Sequence, residues 1–305
     1  MGANTLARIP VSTCPLVARD IFNCVRLKQN NVENYQYDSF CRLDDSFEAF
    51  AADTNYVARV KYLKICIWDS RDSESANTVL GSMRELTSLN VDVREIGAEA
   101  NINALELVFS ALSIDRELSW LRNLRLDGID LDRYTYIRLP GAPNLKHLHL
   151  AYCSSYGPFL QMLTALSLDL AALTIEEADN GSGSFDNYAN DFIRSLRSPE
   201  RVSLVLDADF EQLHGLLDWS ALHKCASVIK SLKLQYRCVL PPYPSDENLS
   251  DFRHFCKNAS SLEQLSMSGI DLPMNKDLDD LYMHGSLQQF LVIFHLSLLL
   301  EGVID

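Results

Sequence analysis

Basic residues are scarce in this sequence, and their scarcity excludes two classes of partner. The 305 residues include 27 Lys and Arg against 41 Asp and Glu, which gives a formal net charge of −14. Affinity for nucleic acid comes mainly from clustered Lys and Arg that neutralise phosphates, and anionic membrane surfaces attract proteins in the same way. We therefore expect neither nucleic acid nor a membrane among the partners.

Long hydrophobic runs and cysteine pairs are lacking as well. The most apolar stretch, residues 290–300, is interrupted by His295 and is shorter than the ~20 residues that cross a bilayer. The N-terminus has no signal-peptide core, because Arg8, Pro10 and Arg19 interrupt it. The eight cysteines include no CxxC pair, and without a secretion signal they are expected to be reduced thiols. These features predict a cytoplasmic or nuclear protein.

Sequence patterns for cofactors, metals and catalysis are also missing. The strand-like residues 63–67 are followed by WDSRDSESA, which lacks the Gly-rich turn of a doubly wound nucleotide-binding fold. His147 and His149 share a strand face, with Asp127 and Glu176 on neighbouring strands, but no HExxH or HxxE spacing supports a metal site. No GxSxG or Cys/His signature marks a nucleophile. We expect no cofactor, no metal and no catalytic residue, so the protein is not predicted to be an enzyme.

Leucine, in contrast, is abundant, with 48 residues or about a sixth of the chain. Many leucines fall in LxxLxL segments, and the clearest are LRNLRLDGIDL from Leu121 and LKHLHLAYCSS from Leu145. Nine such segments follow one another at intervals of 24 to 35 residues between their central apolar residues. The central residues are Leu63, Leu89, Leu124, Leu148, Leu173, Leu204, Leu232, Leu265 and Phe290. An ordered series at this spacing is typical of leucine-rich repeats.

The segments between these strands contain helical patterns, which begin near Asp45, Asn103, Phe210 and Glu247. Residues 180–190, which include GSGS, are interpreted as a flexible insertion. Short strands that alternate with helices form parallel sheets. We predict an α/β leucine-rich-repeat solenoid of about eight or nine irregular repeats over residues 56–305, with a curved parallel sheet and helices on its convex side. Residues 1–55 are predicted to be an N-terminal helical segment.

The repeats resemble those of fungal F-box proteins with degenerate leucine-rich repeats. Residues 41–67, CRLDDSFEAFAADTNYVARVKYLKICI, are similar to the short helix and strand that open the solenoid in that family. LRNLRLDGIDL and PNLKHLHLAYC look like its middle repeats. The resemblance implies a protein–protein interaction scaffold that serves as a substrate receptor of a cullin-type ubiquitin ligase and docks a Skp-family adaptor through an F-box.

Residues 1–40 depart from the family pattern. An F-box would begin near L-P-x-E-[IL], whereas this segment offers only Pro15-Leu16 and Ile21-Phe22. The N-terminal segment is therefore interpreted as an F-box remnant or a linker. The alternative function is a stand-alone leucine-rich-repeat adaptor with no ligase link, or a truncated gene product.

The residues beside the core leucines of each strand are predicted to bind a protein target. Side chains alternate between the two faces of a strand, so the polar positions of LxxLxL point to the concave face of the solenoid. In the strand near residue 204 these positions are Ser203, Val205 and Asp207. The predicted protein-binding residues are Lys64, Asn90, Asp92, Asn123, Arg125, Asp127, His147, His149, Thr174, Glu176, Lys233, Gln235 and Gln264.

Overall fold

The computed structural model describes residues 24–28, 58, 60–67, 83, 85–93, 121–131, 144–166, 168–178, 185–207, 216–237, 246–269 and 289–293. The chain divides into two compact units. The first comprises residues 1–122 and 140–142, and the second comprises residues 123–139 and 143–305. The predicted boundary between residues 55 and 56 lies outside the described residues.

In the part of the first unit that the structure describes, three parallel strands pair in chain order. They are β1 (Cys24–Lys28), β2 (Tyr62–Ile67) and β3 (Ser88–Val93). Leu63 of β2 lies opposite Leu89 of β3, and both side chains are buried. The register of these two strands agrees with the alignment of the repeats.

Strand β1 lies within residues 1–55, for which a helical segment is predicted. The part of this segment that the structure describes is a strand, and its Val25 lies opposite Leu63. The sequence CVRLK alternates apolar Val25 and Leu27 with charged Arg26 and Lys28, and this period of two is typical of a strand. The helical prediction is therefore wrong for residues 24–28.

The second unit contains seven parallel strands within its described residues, and they also pair in chain order. The strands are β4 (Asn123–Asp127), β5 (His147–Ala151), β6 (Ala172–Glu176), β7 (Arg201–Leu206), β8 (Ser231–Tyr236), β9 (Gln264–Ser268) and β10 (Gln289–Ile293). The described helices between them are α1 (Gly157–Ala165), α2 (Asn187–Ser195), a 3₁₀ helix (Trp219–Cys225) and α3 (Asp246–Asn258). The prediction of an α/β fold with a parallel sheet is confirmed.

The inward side chains of these strands form one row of the hydrophobic core. In β4–β9 the second residue of each strand lies opposite its neighbour and is buried. In β7 this residue is Val202, which lies between Leu173 and Leu232, whereas Leu204 is the residue predicted for the row. Val202, Leu204 and Leu206 are all buried, and this apolar alternation permits either alignment from sequence alone.

The same pair of backbone hydrogen bonds recurs at the start of successive strands. One carbonyl that precedes a strand accepts from two consecutive N–H groups at the start of the next strand, at 2.8 to 3.1 Å. The accepting carbonyls in the second unit belong to Lys146, Ala171, Glu200 and Lys230. The repetition of this contact fixes the offset between neighbouring strands, because a shift by one residue would leave the N–H groups without acceptors.

The chain leaves β4, β5 and β9 through a residue with left-handed backbone. These residues are Gly128 (φ 70°), Tyr152 (φ 53°) and Gly269 (φ 71°). The two glycines begin the two copies of GIDL in the sequence. At Gly269 a Cβ atom would lie 2.1 Å from the carbonyl oxygen of Tyr236, so both the backbone angle and the close approach require glycine.

Two helices differ from the sequence-based expectations. α1 is not predicted, although Pro158 lies in its first turn, where proline is favoured, and Phe159, Leu160 and Leu163 are buried. α2 begins within residues 180–190, which were expected to form a flexible insertion. The Asp186 side chain accepts the Ala189 N–H at 3.0 Å, which is the usual N-cap interaction. The insertion prediction is therefore wrong for residues 187–190, and residues 180–184 lie outside the described residues.

The remaining helices agree better with the predictions. α3 confirms the helix predicted from Glu247, and its Phe252 and Phe255 pack against Trp219 at ring-centroid distances of 4.6 and 5.5 Å. The 3₁₀ helix overlaps the end of the helix predicted from Phe210, whose residues 210–215 are not described. The helices predicted near Asp45 and Asn103 also lie outside the described residues. None of the described helices has the length and apolar character needed to cross a membrane.

Candidate protein-binding face

The outward side chains of β4–β9 form one surface, which we call the polar face. The first, third and fifth residues of each strand lie on it, and the parallel register aligns them into three rows. The amino row is Asn123, His147, Ala172, Arg201, Ser231 and Gln264. The middle row is Arg125, His149, Thr174, Ser203, Lys233 and Ser266. The carboxyl row is Asp127, Ala151, Glu176, Val205, Gln235 and Ser268.

All the predicted binding residues from Asn123 to Gln264 lie on the polar face, in the strands from which they were predicted. His147, Lys233 and Gln264 are exposed, and the others are partly exposed. In the carboxyl row, Ala151 and Val205 are buried, at 0% and 2% exposure. The amino and middle rows are therefore the more accessible part of the face.

The sequence-based assignment of β7 is wrong by two residues. The row positions are Arg201, Ser203 and Val205, whereas Ser203, Val205 and Asp207 were expected to align with the neighbouring strands. The shift by two residues arises because Val202, and not Leu204, occupies the buried row between Leu173 and Leu232. It adds an exposed cation, Arg201, that the sequence-based prediction missed. The Val202-Leu204-Leu206 alternation is the signal that could have revealed the second alignment.

The three predicted residues of the first unit form a small polar group. The Lys64 ammonium lies 3.1 Å from a carboxylate oxygen of Asp92, whose side chain is only 2% exposed. Asn90 lies opposite Lys64, and its Oδ1 atom is buried and accepts no hydrogen bond from a described residue. Because Asp92 is buried and ion-paired, its carboxylate is less suited to contact a partner than the exposed residues of the second unit.

An ionic cluster spans β4, β5 and β6 at the middle and carboxyl rows. The Arg125 guanidinium donates to Asp127 Oδ2 at 3.0 Å and lies 3.1 Å from His149 Nδ1. On the other side, His149 Nε2 lies 3.5 Å from Glu176 Oε1. Since a guanidinium can only donate, Nδ1 must accept from it, which places the imidazole proton on Nε2.

The environment of His149 keeps its imidazole neutral near pH 7. Burial lowers the pKa of His149, and the positive charge of Arg125 lowers it further, while the carboxylates of Glu176 and Asp127 act in the opposite direction. Because Nδ1 contacts Arg125, it is not available to a metal. Among the described residues, no group of three His, Cys, Asp or Glu side chains could hold a metal ion.

His147 precedes this cluster in the amino row and faces Arg201 across the sheet. Burial and, to a smaller extent, the Arg201 guanidinium lower the pKa of His147. Both imidazoles of the polar face are therefore predominantly neutral at pH 7 and act as hydrogen-bonding groups.

The described thiols are unsuited to nucleophilic chemistry. Cys153 and Cys225 are free and buried, and Cys256 is buried as well. Burial raises the pKa of Cys153 to about 12 and that of Cys225 to about 11, so both stay protonated at neutral pH. A thiolate is the reactive form of cysteine, and a buried thiol behaves as a small apolar side chain.

Comparison with known proteins adds no relative. No protein-family model matches this sequence, and no curated protein matches it either. The resemblance to F-box proteins with leucine-rich repeats therefore stays a prediction.

Proposed function

We propose that this chain is a protein–protein interaction scaffold in which leucine-rich repeats form an α/β solenoid and the polar face holds the partner. The observation that carries the proposal is the in-register alignment of six strands, which presents three rows of mixed polar residues. A broad, mixed polar surface with accessible histidine, arginine and lysine suits recognition of a protein surface or segment. Repeat proteins bind partners through extended surfaces of this kind.

The resemblance favours a more specific role as an F-box-like substrate receptor of a cullin-type ubiquitin ligase. In this role, the polar face holds the target, and the N-terminal segment docks a Skp-family adaptor. The buried free thiols of Cys153 and Cys225 suit the reducing cytoplasm or nucleus in which such ligases act.

One observation favours the second candidate, a stand-alone repeat adaptor without a ligase link. An F-box is helical, but residues 24–28 of the N-terminal segment form β1 and pair with β2. This strand takes up part of the segment that an F-box between residues 1 and 40 would need. The two candidates share the polar face and differ only in adaptor binding.

Co-purification with a Skp-family adaptor separates the two candidates. The full chain is expressed with the adaptor, beside a control chain that carries a genuine F-box fused to its N-terminus. Binding of the adaptor by both chains supports the receptor. Binding by the control alone contradicts the receptor role and leaves the stand-alone adaptor.

Selection from a random peptide display library tests the scaffold itself. Peptides selected on the full chain are expected to lose binding to Ser203→Tyr, because the bulky ring covers the middle row. Ser227→Tyr is the matched control, since Ser227 is exposed and lies outside the polar face. Selected peptides that bind Ser203→Tyr as well as the natural chain would contradict binding at the polar face.

A further inference from the structure

Charge is segregated between the rows of the polar face. Arg125, Arg201 and Lys233 lie in the amino and middle rows, which contain no carboxylate. The two carboxylates of the face, Asp127 and Glu176, both lie in the carboxyl row. Acidic residues outnumber basic ones 41 to 27 in the whole chain. The absence of carboxylates from these two accessible rows is therefore not what the overall composition predicts.

The cations differ in how far they are already neutralised. Arg201 and Lys233 are exposed, and neither forms an ion pair with a carboxylate of a described residue. Arg125 is paired with Asp127, but 38% of its side chain remains exposed. Arg201 and Lys233 are therefore the two cations best able to bind an external anion.

The spacing of these cations matches an extended peptide. Arg201 and Lys233 lie on neighbouring strands and are offset by two residues, a diagonal of about 7–8 Å. Alternate side chains of an extended chain are separated by about 6.6 Å, so carboxylates at alternate positions reach both cations. From β4 to β8 the face spans about 19 Å, or roughly six extended residues.

We propose that the polar face binds an acidic segment of a partner protein, laid across the amino and middle rows from Arg125 to Lys233. This inference rests on the proposed scaffold function and names the chemistry of its partner. Carboxylates of the segment pair with Arg201 and Lys233, and the exposed imidazole of His147 supplies a hydrogen bond. Asp127 and Glu176 repel the segment from the carboxyl row, so they fix its position on the face.

A protein carboxylate suits this surface better than a nucleic acid does. Two cations that no described carboxylate neutralises can pair with few phosphates, and affinity for nucleic acid grows with the number of phosphates neutralised. The net charge of −14 repels a polyanion at long range, whereas a short acidic segment meets mainly the local field of the two rows.

The test uses the full chain and three labelled octapeptides, which alternate glycine with glutamate, glutamine or lysine. We expect fluorescence anisotropy at about 0.1 M salt, where exposed charges more than about 10 Å apart are largely screened, to show at least tenfold tighter binding of the glutamate peptide than of the other two. Raising the salt to 0.5 M is expected to weaken this binding severalfold, because exposed ion pairs are screened. Equal binding of the glutamate and glutamine peptides would overturn the proposal.

The paired variant Arg201→Glu/Lys233→Glu is expected to weaken binding of the glutamate peptide at least tenfold. The matched control is Arg197→Glu/Lys224→Glu, which changes the net charge equally at exposed residues outside the polar face. The control is expected to bind within twofold of the natural chain. Equal losses in both variants would mean that net charge, and not the polar face, determines binding, and would reject the proposal.

Two further outcomes separate this inference from the scaffold function. Library peptides that depend on Ser203 but are not enriched in Asp and Glu would reject the acidic segment and leave the scaffold standing. The absence of any Ser203-dependent peptide would reject the scaffold, and the acidic segment with it. Tighter binding of labelled oligothymidylate than of the glutamate peptide would assign the face to nucleic acid and overturn the proposal.

Discussion

The phenolic hydroxyl of Tyr156 donates a 2.7 Å hydrogen bond to Oε1 of Glu177, a carboxylate with 3% exposure. The second oxygen, Oε2, accepts the backbone N–H of Asp207 at 2.7 Å. The Glu177 carbonyl accepts from the Arg237 guanidinium at 2.8 Å. Glu177 therefore joins the segments that follow β5, β7 and β8 to the end of β6. A buried carboxylate is tolerated here because both of its oxygens accept hydrogen bonds.

Removal of the Tyr156 hydroxyl tests the strength of this link. Burial and the nearby Glu177 carboxylate raise the pKa of Tyr156 well above its usual value, so the hydroxyl stays a donor at neutral pH. Tyr156→Phe leaves a buried carboxylate oxygen without its donor, and we expect a loss of about 1.5–3 kcal/mol in the free energy of unfolding. Urea denaturation measures it. Tyr188→Phe, at an exposed tyrosine, is expected to change stability by less than about 0.5 kcal/mol. Equal values for the two variants would contradict the role of the hydroxyl.

Gly269 gives a prediction for the end of β9. Gly269→Ala introduces a Cβ atom 2.1 Å from the Tyr236 carbonyl oxygen at a φ of 71°, so the backbone of one strand end must move. The left-handed angle alone costs a non-glycine residue about 1–2 kcal/mol, and the collision adds to it. We expect a total loss of more than about 2 kcal/mol, measured by thermal and urea unfolding.

Tyr152→Gly is the converse variant, because Tyr152 has the same left-handed backbone at φ 53° and is exposed. Glycine removes the strain at this position but increases the entropy of the unfolded chain, so the net change is expected to stay within about 1 kcal/mol. If Gly269→Ala and Tyr152→Gly had the same free energy of unfolding, the end of β9 would accommodate the added Cβ atom without a loss of stability, which would contradict the prediction.

The strands and most of the polar face could be predicted from the sequence because their pattern is local. LxxLxL alternates buried and outward positions, so Arg125, His149 and Lys233 were assigned to the outward face before the strand pairing was known. β7 could not be aligned with certainty, since Val202, Leu204 and Leu206 offer more than one register. Arg201 was missed for that reason.

Other features depend on contacts between distant segments, which a local pattern does not contain. The buried Asp92 carboxylate is paired with Lys64 of the preceding strand, a contact that the local pattern does not contain. The residues near GSGS suggested an insertion, but Asp186 begins a helix only two residues after GSGS. The link between Tyr156 and Glu177 was not predicted, because neither residue belongs to the LxxLxL pattern.

His149 gives a prediction for the dependence of stability on pH. The groups that face it are Arg125 and Asp127 on β4 and Glu176 on β6, and its pKa in the folded protein is lowered. The unfolded chain, where histidine has a pKa of about 6.5, therefore binds the proton more readily than the folded protein. Stability is expected to fall as pH drops below about 6.5, towards the lowered folded pKa.

His149→Gln isolates this effect, since glutamine cannot be protonated and its carbonyl can still accept from Arg125. We expect urea denaturation at pH 7.5, 6.5 and 5.5 to show a shallower loss of stability for the variant than for the natural chain. Ser227→Gln, at an exposed residue that does not titrate and lies outside the polar face, is the control and is expected to keep the slope of the natural chain. If the free energy of unfolding of His149→Gln changed with pH as steeply as that of the natural chain, His149 would not be the source of the pH dependence.

The side-chain amide of Asn190 connects α2 to residues 216–218, which precede the 3₁₀ helix. Substitutions of Asn190 test how much this connection contributes to stability. Its Nδ2 donates to the Leu216 carbonyl at 3.3 Å, and its Oδ1 accepts the Asp218 N–H at 2.9 Å. Asn190 is 7% exposed. Asn190→Ala leaves both backbone groups without this partner, so we expect a loss of about 1–3 kcal/mol.

Asn190→Asp is expected to be at least as destabilising as Asn190→Ala, although it is nearly isosteric with the natural residue. One carboxylate oxygen still accepts from Asp218, but the other faces the Leu216 carbonyl and is repelled by it, and a charge is buried. The control is Asn187→Asp, at the exposed first residue of the same helix, where a negative charge favours the helix N-terminus by about 0.3–1 kcal/mol. Urea denaturation of the three variants measures these differences. If Asn190→Asp unfolded at the same urea concentration as the natural chain, the amide of Asn190 would not be what joins α2 to residues 216–218.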